Sequence, residues 1–169
     1  TTVTTPIVAM GTAAIKASLD FESSFTSVRK TVDATEAEFS ALASASKSMS
    51  TQIAASTTQI NEVMATAGQL GIANDYLVDF TRTMIDLGNS TDIVANDAAS
   101  TLAKFANITT MDQSQFGNLG ATLVDLGNNF ATVESDIMNM SLRLAAAGHQ
   151  VGLTEPQILG FAAALSSVG

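Results

Sequence analysis

The same tetrapeptide, Asp-Leu-Gly-Asn, occurs at residues 86–89 and again at residues 125–128, an offset of 39. Other residues that correspond at this offset are Val94 and Val133, and Asp97 and Asp136. A period near 40 residues is typical of a helical hairpin, in which two helices of about 14 residues are joined by short loops. The repeat therefore predicts a duplicated helical unit. In each copy the glycine, Gly88 or Gly127, is expected to end a helix, and the next Asn to form a tight connection.

A second pattern runs through the N-terminal third of the chain, where stripe positions follow one another at alternating steps of four and three residues. Its members are Phe21, Phe25, Val28, Val32, Thr35, Phe39, Leu42, Ser46, Met49 and Ile53. The average step of 3.5 is the heptad period of a coiled coil. Because no Gly or Pro lies between Gly11 and Gly68, we expect one long amphipathic helix within residues 1–54. The alternative is a break near residues 33–35, where Thr35 and Glu38 match a capping box.

Six large apolar members of this pattern form what we call the apolar stripe: Phe21, Phe25, Val28, Val32, Phe39 and Leu42. Such side chains need burial, which is worth about 1.5–3 kcal/mol each when they are fully enclosed. We therefore predict that the apolar stripe is a self-association surface and that the chain is a homo-oligomer. Two versions of this hypothesis remain open. The stripe packs either on a neighbouring copy or on the helices behind it.

Helix start and stop signals recur through residues 55–169. Starts are predicted at Ser56, Asn74 or Asp75, Asp92, Thr110 and Thr154, and stops at Gly68 or Gly71, Gly88, Gly127 and Gly148. Strand signals are weak, because no stretch alternates apolar and polar residues for long. The predicted fold class is all-α. We expect a long N-terminal heptad-patterned helix. It is followed by a predicted domain, residues 55–169, that is a bundle or array of short antiparallel helical hairpins.

The chain is acidic, with 7 basic and 16 acidic residues and a net charge of -9. That field repels a phosphate backbone, so direct nucleic-acid binding is not expected. The longest charge-free stretch has 15 residues, fewer than the roughly 18–20 that a membrane-spanning helix needs. No signal peptide is recognisable. The chain begins at a threonine and stops inside an apolar helical pattern, which indicates a piece of a longer protein.

Residues that could carry catalysis are few. The chain has no cysteine, which excludes thiolate nucleophiles and zinc-thiolate sites. His149 is the only histidine, and we expect no Ser-His-Asp or Cys-His pair unless a partner chain supplies the rest. It is expected in a loop after a helix end. The carboxylate pairs, Asp92 with Asp97 and Glu134 with Asp136, fit neither a calcium loop nor a Glu-x-x-His helix pair. We predict no catalytic residue, no cofactor and no metal site.

Two acids are harder to place. Asp86 and Asp125 each precede a repeat glycine by two residues, near a predicted helix C-terminus where a negative charge is mildly unfavourable. One structural account is a hydrogen bond to the start of the next helix. The functional alternative is an acidic contact with a partner protein.

Several short segments, taken in order, point to a known family. They are Phe21-Glu22 with Val28 downstream, Phe39-Ser40-Ala41-Leu42, the start at Ser56, Met64-Ala65-Thr66-Ala67-Gly68, the acidic start at Asp92, Leu142 to Gly148, and Thr154-Glu155-Pro156-Gln157-Ile158 followed by Ala163-Ala164-Leu165 and Gly169. Their order and spacing resemble the core region of phage tail tape measure proteins from about Ala17 to Gly169. One departure is Asn107, where the resemblance implies a longer or more glycine-rich loop in many relatives.

The resemblance implies a structural virion protein. It would be long and largely helical, occupy the tail tube, set tail length during assembly in the host cytoplasm, and leave with the DNA at infection. It also implies small homo-oligomers and contacts with tail tube, tail assembly chaperone and tail-tip proteins. No catalytic residue is carried over. Two other classes stay open, namely a helical-repeat module that binds a protein in an apolar groove, and an enzyme with an unrecognised carboxylate site at Asp86, Asp92, Asp97 and Asp125.

Overall fold

The computed structural model describes the backbone of residues 4–168 and the side chains of residues 16–168, and over these ranges the chain contains helices and no strand. The helices are α1 (Thr4–Thr31), α2 (Glu36–Ser50), α3 (Thr57–Gln69), α4 (Asn74–Ser90), α5 (Ala95–Thr109), α6 (Phe116–Asn129, preceded by a 3₁₀ turn at Gln113–Gln115), α7 (Glu134–Gln150) and α8 (Glu155–Ser166). The all-α prediction is confirmed. Residues 1–3 of the predicted first segment and Gly169 of the second lie outside the described residues.

The helices are arranged in two rows. Helices α1, α3, α5 and α7 pack side by side in one row, and α2, α4, α6 and α8 in the other. Most helices also pack on the next helix in the chain, which lies in the opposite row. The side chains that are fully buried include Phe80, Met84, Leu102, Phe105, Leu123 and Ile137. The 39-residue offset relates α4 and α5 to α6 and α7. We call a pair of consecutive helices, one from each row, a level, so the sequence repeat corresponds to two successive levels.

The expectation of one continuous N-terminal helix is wrong, and the alternative break is what the structure has. α1 ends at Thr31 and α2 begins at Glu36. The capping box is present, because the Thr35 hydroxyl accepts a hydrogen bond from the Glu38 amide at 3.3 Å. In return the Glu38 carboxylate accepts one from the Thr35 amide at 2.7 Å. These bonds satisfy amide groups that a helix start leaves unpaired. The break lets both helices lay their apolar faces on α3.

The repeat glycines do not end their helices. α4 continues through Ser90 and α6 through Asn129, so Gly88 and Gly127 lie in the last turn. A methyl group added at Gly88 would lie 2.9 Å from Cβ of Ala95, the first residue of α5. A methyl group at Gly127 would likewise overlap the side chain of Glu134, the first residue of α7. The duplicated glycine therefore gives the next helix room to start close by. The Asn that follows it is helical and forms no turn.

Two other glycines have left-handed backbone angles and end helices. Gly71 after α3 has φ 84° and Gly152 after α7 has φ 81°, a conformation that glycine adopts without a steric penalty. The alternative stop at Gly71 is therefore confirmed. The stop at Gly148 is wrong, because α7 continues to Gln150. Gly148 instead leaves space for Ile158 of α8, whose Cγ1 would be 2.7 Å from an added methyl group.

The predicted helix starts divide into two groups. Capping boxes at Ser56 and Thr154 are present as predicted. The starts at Asn74, Asp92 and Thr110 are wrong as capping residues, because the residues at those three helix boundaries are Ala73, Val94 and, for the 3₁₀ turn, Asp112. Thr110 instead ends α5 with a φ of 53°. The Asn74 amide donates to the Asp33 carbonyl at 2.9 Å, which ties α4 to the turn between α1 and α2.

We expect Gly88→Ala to destabilise the protein by about 1–2 kcal/mol, because overpacking costs about 1–3 kcal/mol and the gain in helix propensity returns only about 1. The matched control is Gly160→Ala within α8, where an added methyl group meets nothing within 4 Å. That variant should be more stable than the parent. Urea unfolding at equilibrium measures both. Equal effects of the two substitutions would contradict the assigned role of Gly88.

Candidate functional site

The apolar stripe lies in the core of a single copy. Its six side chains are buried, with exposures between 0% for Val28 and 8% for Val32. Five of them come from α1 and α2, both of which pack on α3, and Val32 lies in the turn between these two helices. This burial favours the version of the hypothesis in which the stripe packs on the helices behind it. Self-association through the stripe stays a prediction.

Side chains of α1 and α2 contact each other on both sides of the turn at residues 32–35. We call this contact region the α1–α2 junction. The Phe25 and Phe39 rings are in edge-to-face contact with centroids 6.4 Å apart. The Arg29 guanidinium lies 4.7 Å from the Phe39 ring centroid. It also donates two hydrogen bonds to the Glu36 carboxylate, at 2.8 and 3.0 Å. Arg29 therefore combines a cation–π contact with a bidentate ion pair. These interactions hold the start of α2 against the end of α1.

Hydrogen bonds at this junction favour the ionised carboxylates. The Arg29 bonds lower the pKa of Glu36 below its ordinary value, and the Thr35 amide, followed by the Thr35 hydroxyl, lowers the pKa of Glu38. A carboxyl whose pKa is lower in the folded state stabilises the fold at neutral pH, and this contribution is lost as pH falls through the folded pKa. The junction should therefore weaken only below the ordinary glutamate pKa of about 4.3.

A buried chain of polar side chains joins three helices behind the stripe. The Ser46 hydroxyl of α2 donates to the Asn61 side-chain oxygen of α3 at 2.6 Å. The Asn61 amide nitrogen donates to the Ser24 hydroxyl of α1 at 2.8 Å. Ser46 and Asn61 are completely buried. Ser46, a polar member of the 3.5-residue pattern, therefore has a hydrogen-bond partner. The two bonds specify how the three helices align.

Replacing Ser46 with Ala should destabilise the protein by about 1–3 kcal/mol, because it removes the donor to the buried Asn61 oxygen. Ser44 is an exposed serine on the same helix, and its hydroxyl donates to the Ser40 carbonyl of α2 at 2.9 Å. Ser44→Ala is the matched control and should change the free energy of unfolding by less than about 0.5 kcal/mol. Chemical denaturation of the two variants gives the comparison. Similar losses in both would show that the buried bond has no special role.

The apolar stripe can be tested by replacing Phe25 and Val32 together with Glu. Placing two carboxylates in this core should lower stability by at least about 4 kcal/mol and lower the melting temperature. If the stripe packs within one copy, light scattering should give the same mass for the variant and the parent. A smaller mass for the variant would support packing between copies. Circular dichroism in the same samples separates loss of fold from loss of association.

Two of the candidate carboxylates, Asp92 and Asp97, line one surface cleft of about 370 Å³ between α5 and α7. Among the side chains that the structure describes, no group of three His, Cys, Asp or Glu residues is placed to hold a metal ion. Asp92, in the loop before α5, instead accepts a hydrogen bond from the Ser135 amide at 3.1 Å and a second from the Ser135 hydroxyl. Ser135 is the second residue of α7, where an anion is favoured by the helix dipole. Asp92 therefore connects successive levels of the two rows.

The three other singled-out residues are on the surface. Asp86 and Asp125 are exposed. The Asp125 carboxylate accepts a hydrogen bond from Asn129 of its own helix at 3.1 Å, so the expected bond to the next helix start is wrong for this residue. A contact of these acids with a partner stays a prediction. His149 is exposed in the last turn of α7, not in a loop.

The sequence patterns missed an apolar groove between α7 and α8, which we call the α7–α8 groove. It has a volume of about 300 Å³ and its lining residues are Leu144, Ala147, Gly148, Val151, Leu153, Ile158, Phe161 and Leu165. Phe161 is 56% exposed and Val151 is 75% exposed. The signal that could have found it is the excess of apolar residues on α8, which a helix buried on one face does not need.

In the described part of the chain, every helix is too short or too polar to span a bilayer.

The comparison with known proteins decides the family. Residues 43–169, three quarters of the chain, match the family described as "Phage-related minor tail protein". The chain belongs to this family. The matched range begins within α2 and includes every later helix, so the two rows from α3 onward are the part of the structure that represents this phage minor tail family.

A curated relative supports the same assignment. The chain is 27% identical over 168 residues to a protein of Halomonas phage phiHAP-1 named "Probable tape measure protein". The alignment covers 92% of this chain and 20% of that relative, so the chain spans about a fifth of the relative's length. No solved structure matches the chain. Membership of the minor tail family places this chain among the proteins of phage tails, and the resemblance read from its sequence is confirmed.

Proposed function

We propose that this chain is a segment of a phage or prophage tape measure protein, which sets the length of the tail during assembly and occupies the lumen of the tail tube. The observation that carries this proposal is the alignment with the "Probable tape measure protein" over 92% of the chain. Helical periodicity suits the role, because a helix has a constant rise of 1.5 Å per residue and its length follows directly from its residue count.

The proposal includes partners and location. The protein would assemble in the host cytoplasm with the tail assembly chaperone, would meet the tail tube and tail-tip proteins, and would remain in the virion tail. The exposed faces of the two rows support such contacts, because Leu19, Val94, Phe161 and Val168 are large apolar side chains that solvent reaches. The excess of acidic residues keeps the protein from binding the packaged DNA directly. The proposed role is structural and uses no cofactor.

The internal repeat offers a direct test of length control. Residues 92–130 make up one 39-residue unit, and deleting them joins Thr91 to Ala131 at equivalent points of the two copies. As a continuous helix, 39 residues span about 58 Å. In a phage whose tape measure protein carries this segment, the deletion should shorten the tail by up to about 58 Å. Electron microscopy of intact virions measures the change.

A matched control separates tail length from stability. Leu102→Ala removes a fully buried side chain of α5 and keeps the residue count, so it should lower stability by about 2–5 kcal/mol and leave the length of assembled tails unchanged. Assembled tails of parental length in the deletion mutant would contradict the proposal. Shorter tails in both mutants would indicate that tail length responds to stability and not to chain length.

A helical-repeat protein-binding module remains the second candidate, and the α7–α8 groove is the observation that favours it. The groove is apolar and open to solvent at Phe161. A module of this kind would keep tail length independent of its own residue count. The deletion experiment therefore distinguishes the two functions.

A further inference from the structure

The turn between α1 and α2 interrupts a pattern that would suit an uninterrupted helix. The stripe continues through it in phase, from Val32 to Thr35 to Phe39, by steps of three and four residues. Neither Gly nor Pro occurs among residues 32–35, and the Val32 amide already donates to the Val28 carbonyl at 2.9 Å, as in a continuing helix. The turn is therefore a segment that can become helical without steric conflict.

The contacts across this turn require it to be bent within one chain. In a straight helix, Phe25 and Phe39 would be separated by about 21 Å along the helix axis, and Arg29 and Glu36 by about 10 Å. In the structure, the two rings are 6.4 Å apart between centroids and the two charged side chains are 2.8 Å apart. Straightening the turn would separate each pair. A second copy, straightened in the same way, could supply the missing partner of each.

We propose that residues 32–35 are the hinge of a reciprocal domain swap. In the swapped dimer, α1 and α2 of each chain fuse into one helix, and α1 of each copy packs on α3 of the other. The contacts between α1 and α2 at the junction re-form between copies, including the ring contact of Phe25 with Phe39 and the pair of Arg29 with Glu36. The buried chain also re-forms, with Ser24 from one copy and Asn61 and Ser46 from the other. The partner is therefore a second copy of this chain.

The balance between the two forms depends on a few groups. A swap re-uses the contacts of the closed monomer, so the two forms differ at the hinge and in the entropy of association. Fusion adds helical hydrogen bonds at residues 32–35, and it removes the Thr35 capping box and the bond from the Asn74 side chain to the Asp33 carbonyl. The connection between α1 and α2 has only four residues, so few residues have to become helical for the two helices to fuse. The dimer should therefore form at high protein concentration after warming that opens the junction.

Thiol cross-linking tests the exchange directly, because the chain has no cysteine of its own. Two single variants, Arg29→Cys and Glu36→Cys, would be mixed at high concentration, warmed below the melting temperature, cooled and treated with a bismaleimide cross-linker, whose spacer replaces the length of the two side chains. One variant carries a size tag, so the mixed dimer is identified on a denaturing gel. The control mixture pairs Arg29→Cys with Asp125→Cys, since Asp125 is exposed and lies on α6. Trapping at least about tenfold above the control is expected, and equal trapping would overturn the proposal.

A proline at the hinge tests helix fusion. Glu36 is the first residue of α2, where proline is tolerated, and Thr35 before it has φ -72° and ψ 162°, which a following proline favours. In a fused helix the same proline would break the helix. Glu36→Ala is the control, because it also removes the ion pair but permits fusion. The proline variant should dimerise at least about tenfold more weakly than the alanine variant.

Light scattering over a concentration series measures the dimer fraction of the Glu36→Pro and Glu36→Ala variants. Circular dichroism verifies that both variants fold. If the proline variant does not fold, Thr35→Ala serves instead, because it removes the cap of the closed form and should increase the dimer fraction. A parent chain that stays monomeric at every concentration after warming would overturn the proposal. So would equal dimerisation of the proline and alanine variants. The inference rests on the fold alone and is independent of the proposed tail function.

Discussion

Close packing at glycine is the constraint on which the two rows of helices depend. At Gly68, Gly88, Gly127 and Gly148, an added methyl group would lie within 3 Å of a neighbouring helix or turn. Each of these glycines is near the C-terminal end of its helix, and its neighbour belongs to the element packed against that end. The connections can therefore be short, and each helix can cross to the other row within a few residues. A core rich in Ala, such as Ala98, Ala99 and Ala103, permits the same close approach between helices.

The N-terminal pair of helices is attached to these rows by a different set of interactions. Large rings and β-branched side chains cover α3, and a buried polar chain aligns α1, α2 and α3. Such bonds add specificity, because a displaced Asn61 would leave polar groups buried without partners. The α1–α2 junction adds the contact between the buried Phe25 and Phe39 rings and, on the surface side, the ion pair of Arg29 with Glu36. This part of the fold is therefore held by contacts that a second copy could reproduce, which is the basis for the proposed exchange.

Local signals predicted the parts of the fold in which the chain contacts itself over a few residues. Capping boxes at Thr35, Ser56 and Thr154 each connect residues three positions apart, so the sequence contains all of their partners. Stops at Gly88, Gly127 and Gly148 were predicted wrongly, because a glycine that ends a helix and one that admits a neighbouring helix look the same in a sequence. Asp92 has the sequence signature of a helix start, but its carboxylate bonds a distant helix instead. Its partner, Ser135, is 43 residues away.

Three properties of the protein can be read from its residues alone: the all-α class, the recurrence of helices at an offset of 39 residues, and the resemblance to phage tape measure proteins. Periodicity and capping are properties of neighbouring residues, so they can be read from the sequence directly. Three other properties depend on how the helices pack: the burial of the stripe within one copy, the role of the repeat glycines as packing sites, and the apolar groove between α7 and α8. Each of these depends on which faces of distant helices meet, and a pattern along one chain does not specify that pairing.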